Sequence, residues 1–413
     1  MEKAELSTHA WLTYHAETSG PLRTVVTEMK QFVLVHNIPS PYRLFLFDVL
    51  ASRLHQRNVD LLVHFMAKGH HDRPKDWESA LGMTMFEHSF WWDCGPSISG
   101  KKWHFNPGLL RWLMRNRPEF LMVGGPWDSL TGVAASLFAR RKKGICWGEG
   151  NTQSPGNLGA GLGEAKRFLL RRFDVFAVPG AEGEKLARMI VGATGSRPRI
   201  VMLPNIVDDS KFKTAEKFCA STLKRMRMEF GVADDERLAL WPARLIHNKG
   251  IPDTLRLLDP EALRGWRIVL LGDGPQRDEV LRLIAQRGLT SCVSLHSPIA
   301  YGDMPAAYAC ADLFMLPSLQ DPNPLSVVEA LHSGLPILVS NRIGNLPEAL
   351  QEHSNGWVFD PANPAAAKAT FASAFTCPIN QLQAMGQASK RIASGFWATT
   401  RAVEAFLDAV PVE

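Results

Sequence analysis

Asp321 and Glu329 stand eight positions apart in the stretch 318–336, which reads Ser-Leu-Gln-Asp-Pro-Asn-Pro-Leu-Ser-Val-Val-Glu-Ala-Leu-His-Ser-Gly-Leu-Pro. An apolar run ending at Leu316 and Pro317 precedes it, and a small-residue turn at Gly334 closes it. This pattern predicts strand, loop, helix. Asp321 then lies at the C-terminal end of the strand and Glu329 inside the helix. The loop 322–326, with Asn323, Pro324, Leu325 and Ser326, leads into the helix N-terminus. Free N–H groups and the positive dipole end make such a place attractive to anions. A ligand with phosphates for the helix end and hydroxyls for the two carboxylates fits it, and a nucleotide sugar is such a ligand. A plain strand–helix junction of a doubly wound domain would carry the same pattern without the chemistry.

Arg244 and Lys249 form a second candidate, on a loop that follows an apolar run at 238–241. A nucleoside diphosphate gathers negative charge on its β-phosphate as it departs. Arginine can fork two phosphate oxygens, and lysine adds a point charge. The chain has no Asp-x-Asp motif and no His-x-x-x-His spacing, so no metal is implied, and no cofactor. Gly272-Asp273-Gly274-Pro275 ends the next apolar run and suggests a tight turn beside the ligand. In the first half, Glu149 ends a short apolar run between two glycines, placed to orient a hydroxyl or act as a base.

The elements that must position these residues are short apolar runs alternating with helical stretches. Six runs fall in the first half, at 32–35, 61–65, 120–123, 144–147, 175–178 and 200–203. Six more fall at 238–241, 268–271, 293–295, 313–316, 337–339 and 357–359. That alternation predicts parallel sheets covered by helices on both faces. The expected organisation is two Rossmann-like domains, 29–206 and 207–395, facing each other across a cleft. A last helix, 396–413, is expected to return to the first domain. Ligands of such sheets bind beyond the C-terminal ends of the strands.

These motifs together resemble retaining glycosyltransferases of family 4, of the group 1, bacterial surface-polysaccharide type, whose architecture is GT-B. The resemblance covers roughly residues 30–390. The family's donor signature has two glutamates where this chain has Asp321 and Glu329, and a glycine where it has Pro324. The segments Trp241–Gly250 and Leu271–Pro275 resemble the family's Gly-Arg-Leu-x-x-x-Lys-Gly and Gly-Asp-Gly-Pro elements. In the first domain, Asn37-Ile38-Pro39-Ser40-Pro41-Tyr42-Arg43 resembles the opening of many bacterial members.

The resemblance implies that Arg244 and Lys249 stabilise the leaving diphosphate, Glu329 holds the ribose and Asp321 the donor sugar. Gly274, Pro298, Ile299 and the loop Asn323, Pro324, Leu325 and Ser326 would complete the donor site. Asn37, Ser40 and Arg43 would face the acceptor, with Arg43 meeting an anion. The implied partners are a nucleoside-diphosphate sugar and a saccharide or lipid-linked saccharide. A nucleotide-sugar epimerase, or a non-catalytic binding protein, would use the same fold.

Composition sets outer bounds. The chain has 413 residues, 46% of them hydrophobic, enough for a large core. No apolar run reaches the roughly 18 residues that span a bilayer. Six scattered cysteines without a Cys-x-x-Cys pair suggest buried, reduced thiols in a cytoplasmic protein. The net charge of +5 is uneven: residues 1–206 carry an excess of eight positive charges, the rest an excess of three negative. Basic clusters near Trp91, Trp92, Trp103 and Trp112 suit weak peripheral contact with an anionic membrane surface. No motif suggests nucleic acid. Residues 1–28 fit no element of the fold and are expected to be either a disordered extension or a stretch ahead of the true start at Met29.

Overall fold

The computed structural model describes residues 29–69, 84–98, 101–139, 143–154, 160–192, 198–213 and 218–410. The expected extension 1–28 lies outside the described residues. Among those described, the first sheet has seven strands. They are β1 (Lys30–His36), β2 (Val59–Phe65), β3 (Glu87–Phe90), β6 (Phe120–Gly124), β7 (Gly144–Trp147), β8 (Val175–Val178) and β9 (Arg199–Met202). Two-residue strands β4 (Ser97–Ile98) and β5 (Lys101–Lys102) form a separate antiparallel pair. The second sheet comprises β10 (Arg237–Pro242), β11 (Trp266–Leu271), β12 (Val293–His296), β13 (Leu313–Leu316), β14 (Ile337–Ser340) and β15 (Gly356–Phe359).

Both sheets are parallel, in the orders β3-β2-β1-β6-β7-β8-β9 and β12-β11-β10-β13-β14-β15. The strand order reverses between β1 and β6 in the first sheet and between β10 and β13 in the second. Such switch points open a crevice at the strands' C-terminal ends, because the two outgoing loops diverge. In the second domain those loops carry Arg244 and Lys249 after β10, and Asp321 after β13. The fold is GT-B.

The central strands are buried on both faces, as continuous apolar runs require: β13, Leu-Phe-Met-Leu, is fully buried. Within the two main sheets, the edge strand β3 is the one the sequence pattern did not reveal; the short pair β4 and β5 escaped it as well. Strand β3, Glu-His-Ser-Phe, has one large apolar residue, and it pairs only with β2. Four cysteines are buried as expected, but Cys94 and Cys219 are exposed.

Helix Thr399–Ala409 ties the chain's end to the first domain. Its Ala402, Val403, Phe406 and Leu407 share a core with Phe32, Leu34, Phe47 and Leu50. Arg57 pairs with Asp408 at 2.5 Å and Arg53 with Glu404 at 3.3 Å. Earlier in the chain, Leu203 and Ile206 pack in that same first-domain core, whereas Val207 and Phe212 pack in the second.

Candidate active site

The two motif loops of the second domain are joined directly. The N–H groups of Leu319 and Gln320 both donate to the Asn248 carbonyl, at 2.9 and 3.0 Å. The ammonium of Lys249 forms an ion pair with Asp321. Both partners are largely covered, with side chains 16% and 12% exposed, so Lys249 is not the exposed loop cation that its sequence context suggests. Arg244, in contrast, is exposed. Asp321 N and Gly344 N bridge this loop to the one after β14, bonding Arg342 O and Asp321 O.

Helix Leu325–Ser333 starts where the sequence predicts, with Pro324 as its N-cap, and Gly334 ends it in the left-handed region at φ 76°. Pro324 offers no N–H, and its carbonyl accepts a hydrogen bond from Asn345 at 3.1 Å. Asn323, Leu325 and Ser326 are half-buried. Pro298 is exposed and Ile299 half-buried, on the loop after β12.

The glycines of 272–274 are required by the loop packed against them. A Cβ on Gly272 would lie 1.8 Å from the Ala243 carbonyl oxygen, and one on Gly274 would lie 2.6 Å from that of Leu245. The turn therefore packs flush against the loop that carries Arg244. Leu245 N donates to Asp273 O at 2.9 Å and fixes that contact.

Glu329 is 3% exposed, and each carboxylate oxygen accepts a tyrosine hydroxyl. Tyr308 donates to Oε2 at 2.7 Å. Tyr42, from the first domain, donates to Oε1 at 2.8 Å. Burial pushes the Glu329 pKa up to about 7, and the two hydroxyls oppose that shift by favouring the anion. The Tyr301 ring meets Tyr42 edge-on, with centroids 5.1 Å apart.

The first domain meets the Asp321 loop through three polar contacts. Asn151 donates to the Pro322 carbonyl, Asn323 to the Glu149 carbonyl at 3.2 Å, and Gln320 to the Gln153 carbonyl at 2.7 Å. The Glu149 carboxylate is paired with Arg43. Arg43 also donates to Asn205 at 3.1 Å and lies 4.6 Å from the Trp147 ring centroid. Arg43 therefore meets an anion inside its own domain, where the sequence reading pointed it at a ligand. Ser40 is the N-cap of helix Pro41–His55, and its carbonyl accepts from Leu44 N at 2.9 Å.

Asn37 and Glu149 line a cavity of about 270 Å³ with His36, Lys102, His104 and Trp147. His36 is packed among the rings of Phe47, Phe65 and Trp147, and burial lowers its pKa to about 3. His104 Nδ1 lies 2.8 Å from Asp93. Burial alone would raise the Asp93 pKa. The N–H groups of Phe105 and Gly95 and the His104 ring hold it below the usual range. Two larger cavities lie away from the cleft. One is at the N-terminal ends of β1, β2 and β3, and the other is between outer helices near Leu258 and Phe371.

Sequence reasoning did not single out Tyr42, Tyr301, Tyr308, Asn151, Asp93 and His104, which the structure brings beside the candidate residues or the cavity they line. Tyr42 stood in plain view between Pro41 and Arg43, but a tyrosine has no charge to mark it. Asp93 and His104 are eleven positions apart on irregular loops, with no periodicity to link them.

Residues 224–392 match the family model described as glycosyl transferases group 1. An uncharacterized glycosyltransferase of Methanocaldococcus jannaschii is 33% identical over 141 residues, which cover 33% of this chain and 35% of that protein. A GDP-mannose-dependent alpha-(1-6)-phosphatidylinositol monomannoside mannosyltransferase of Mycobacterium tuberculosis is 29% identical over 178 residues, 41% of this chain and 44% of that one. The chain spans less than half the length of the curated relatives it matches. Over the whole fold, Anabaena HepE, solved with UDP and glucose, superposes with a TM-score of 0.71 at 18% identity. That superposition covers 92% of this chain and 99% of that one.

Proposed function

We propose that the protein is a retaining, metal-independent glycosyltransferase, with 207–395 as donor domain and 29–206 as acceptor-side domain. It would move a sugar from a nucleoside diphosphate to an acceptor hydroxyl. The observation that carries this reading is the union of the Arg244–Lys249 loop with the Asp321 loop at the switch point of the second sheet. That union brings the loop bearing Arg244, the Lys249–Asp321 pair and the loop leading into helix Leu325–Ser333 together. The group 1 family match over the same domain and the UDP bound by HepE support it.

The acceptor oxygen bonds to the anomeric carbon on the face the diphosphate leaves. The carbon–phosphate oxygen bond breaks with its electron pair going to the phosphate, which takes the acceptor proton. Arg244 and Lys249 stabilise the charge gathering there, Asp321 holds the donor sugar, and Glu329 holds the ribose. Glu149, fixed by Arg43 beside the 270 Å³ cavity, orients the acceptor hydroxyl. A lipid-linked saccharide of surface-polysaccharide assembly suits a first domain with a basic, tryptophan-bearing face. The mannosyltransferase relative, whose name includes a phosphatidylinositol, is consistent with such an acceptor.

The test begins with thermal shifts of the protein against nucleoside-diphosphate sugars, since a ligand that binds only the folded state raises its stability. With the sugar so identified, Arg244→Ala should cut turnover on the order of 100-fold or more, the usual cost of one such donor. Melting temperature should hold, because Arg244 is exposed. Near-wild-type turnover at saturating donor would remove Arg244 from the reaction.

A further inference from the structure

Tyr42 belongs by sequence to the first domain but packs against the second. It sits at the start of helix Pro41–His55, and its ring lies against the second-domain core that includes Val207, Phe212 and Tyr308. Its hydroxyl bonds the carboxylate assigned above to the ribose. Glu329 retains unused lone pairs, yet at 3% exposure no further group can reach them. Tyr308 is fully buried on the neighbouring helix Met304–Ala309 and moves with the second domain. Tyr42 alone of the two can withdraw, because the domain boundary runs between it and Glu329.

We infer that the Tyr42 hydroxyl is a stand-in for a ribose hydroxyl, so that Tyr42 and the nucleotide compete for Glu329. The inference rests on the reading of Glu329 as the ribose ligand. Two features of the contact support it. A phenol and a sugar hydroxyl donate the same kind of hydrogen bond to a carboxylate. The Tyr301 ring, which flanks Tyr42 edge-on, lies next to the loop of Pro298 and Ile299, where a nucleobase would continue from the ribose. Nucleotide entry then requires the first domain to lift Tyr42 away. Departure of the nucleotide lets the tyrosine return, which couples donor exchange to the opening of the cleft. The apparent affinity of the nucleotide is reduced by the fraction of molecules in which Tyr42 holds Glu329.

The experiment is calorimetric titration of the full chain with UDP, GDP and ADP, which share the ribose and diphosphate. Tyr42→Phe keeps the ring and its packing and removes only the donor. It should bind at least one of the three about tenfold more tightly than wild type, the worth of a charge-assisted hydrogen bond. Glu329→Gln should bind more weakly, and adding Tyr42→Phe to it should bring no gain. Unchanged or weaker binding by Tyr42→Phe, alongside weakened Glu329→Gln, overturns the competition and leaves the ribose reading intact. Unchanged binding by Glu329→Gln removes the ribose reading and this inference with it. Binding of none of the three nucleotides to wild type or Tyr42→Phe overturns the competition as well. Melting curves of each variant check that the fold is retained.

Discussion

At Glu329 a fully enclosed carboxylate faces two tyrosine hydroxyls, and its pKa rises from 4.5 to about 7 because burial outweighs both bonds. A folded pKa above the unfolded one means the native state binds the proton more tightly. The stability contributed by the protonated form is complete below pH 4.5 and is lost as pH rises through about 7. Glu329→Gln has no such titration. Its stability relative to wild type should therefore increase between pH 5 and pH 8, as read by urea denaturation at both. Parallel profiles would place the Glu329 pKa near its ordinary value. The partner of Asp321 is an ammonium, that of Lys249. Lys249→Ala should leave a covered carboxylate unpaired and lower both stability and turnover, the latter on the order of 100-fold. Loss of stability without loss of turnover would make Lys249 a brace for Asp321 rather than a phosphate ligand.

The loops work as elements only because neighbouring turns brace them. The turn at 272–274 is glycine-rich so that it can rest on the backbone of Ala243 and Leu245. Gly272→Ala would put a methyl group 1.8 Å from the Ala243 carbonyl oxygen, so one of the two loops must move. Overpacking of this kind costs roughly 1–3 kcal/mol. We expect a lower melting temperature together with weaker donor binding, because the displaced loop carries Arg244. A change in melting temperature alone would separate this turn from the site. The elements that sequence located best, β7, β8 and β13, are apolar runs with clear breakers at their ends. The edge strand β3 escaped because half-exposed strands carry little hydrophobic signal.

At the scale of the whole molecule, charge and exposed apolar surface coincide on the first domain. Trp92 is 75% exposed, Met114 54% and Phe168 61%; the exposed Arg111 and Arg115 share helix Pro107–Asn116 with Met114, and the exposed Arg171 follows Phe168 by three positions. No helix of the described residues is long and apolar enough to cross a membrane. Weak, reversible adsorption to anionic vesicles is expected, at roughly 1 kcal/mol for each Lys or Arg near the surface. It should vanish at 1 M salt, where the Debye length is about 3 Å. Co-sedimentation with neutral and anionic vesicles at low and high salt measures this. Equal binding to both vesicle types, or none to either, would favour a freely soluble acceptor.

The sequence by itself determined the alternation of strands and helices, and with it the two parallel sheets. Apolar runs bounded by polar and small residues have few other ways to bury themselves. It also located the candidate residues, because Asp321, Glu329, Arg244 and Lys249 sit just beyond those runs or inside the helix that follows. Only the tertiary structure decided their partners. Lys249 and Asp321 are 72 residues apart and Tyr42 and Glu329 are 287 apart, distances over which no local pattern extends. Those pairings follow from strand order, which puts β10 beside β13, and from the packing of one domain on the other. They turned a carboxylate that the sequence leaves open into one already bonded by a tyrosine of the other domain.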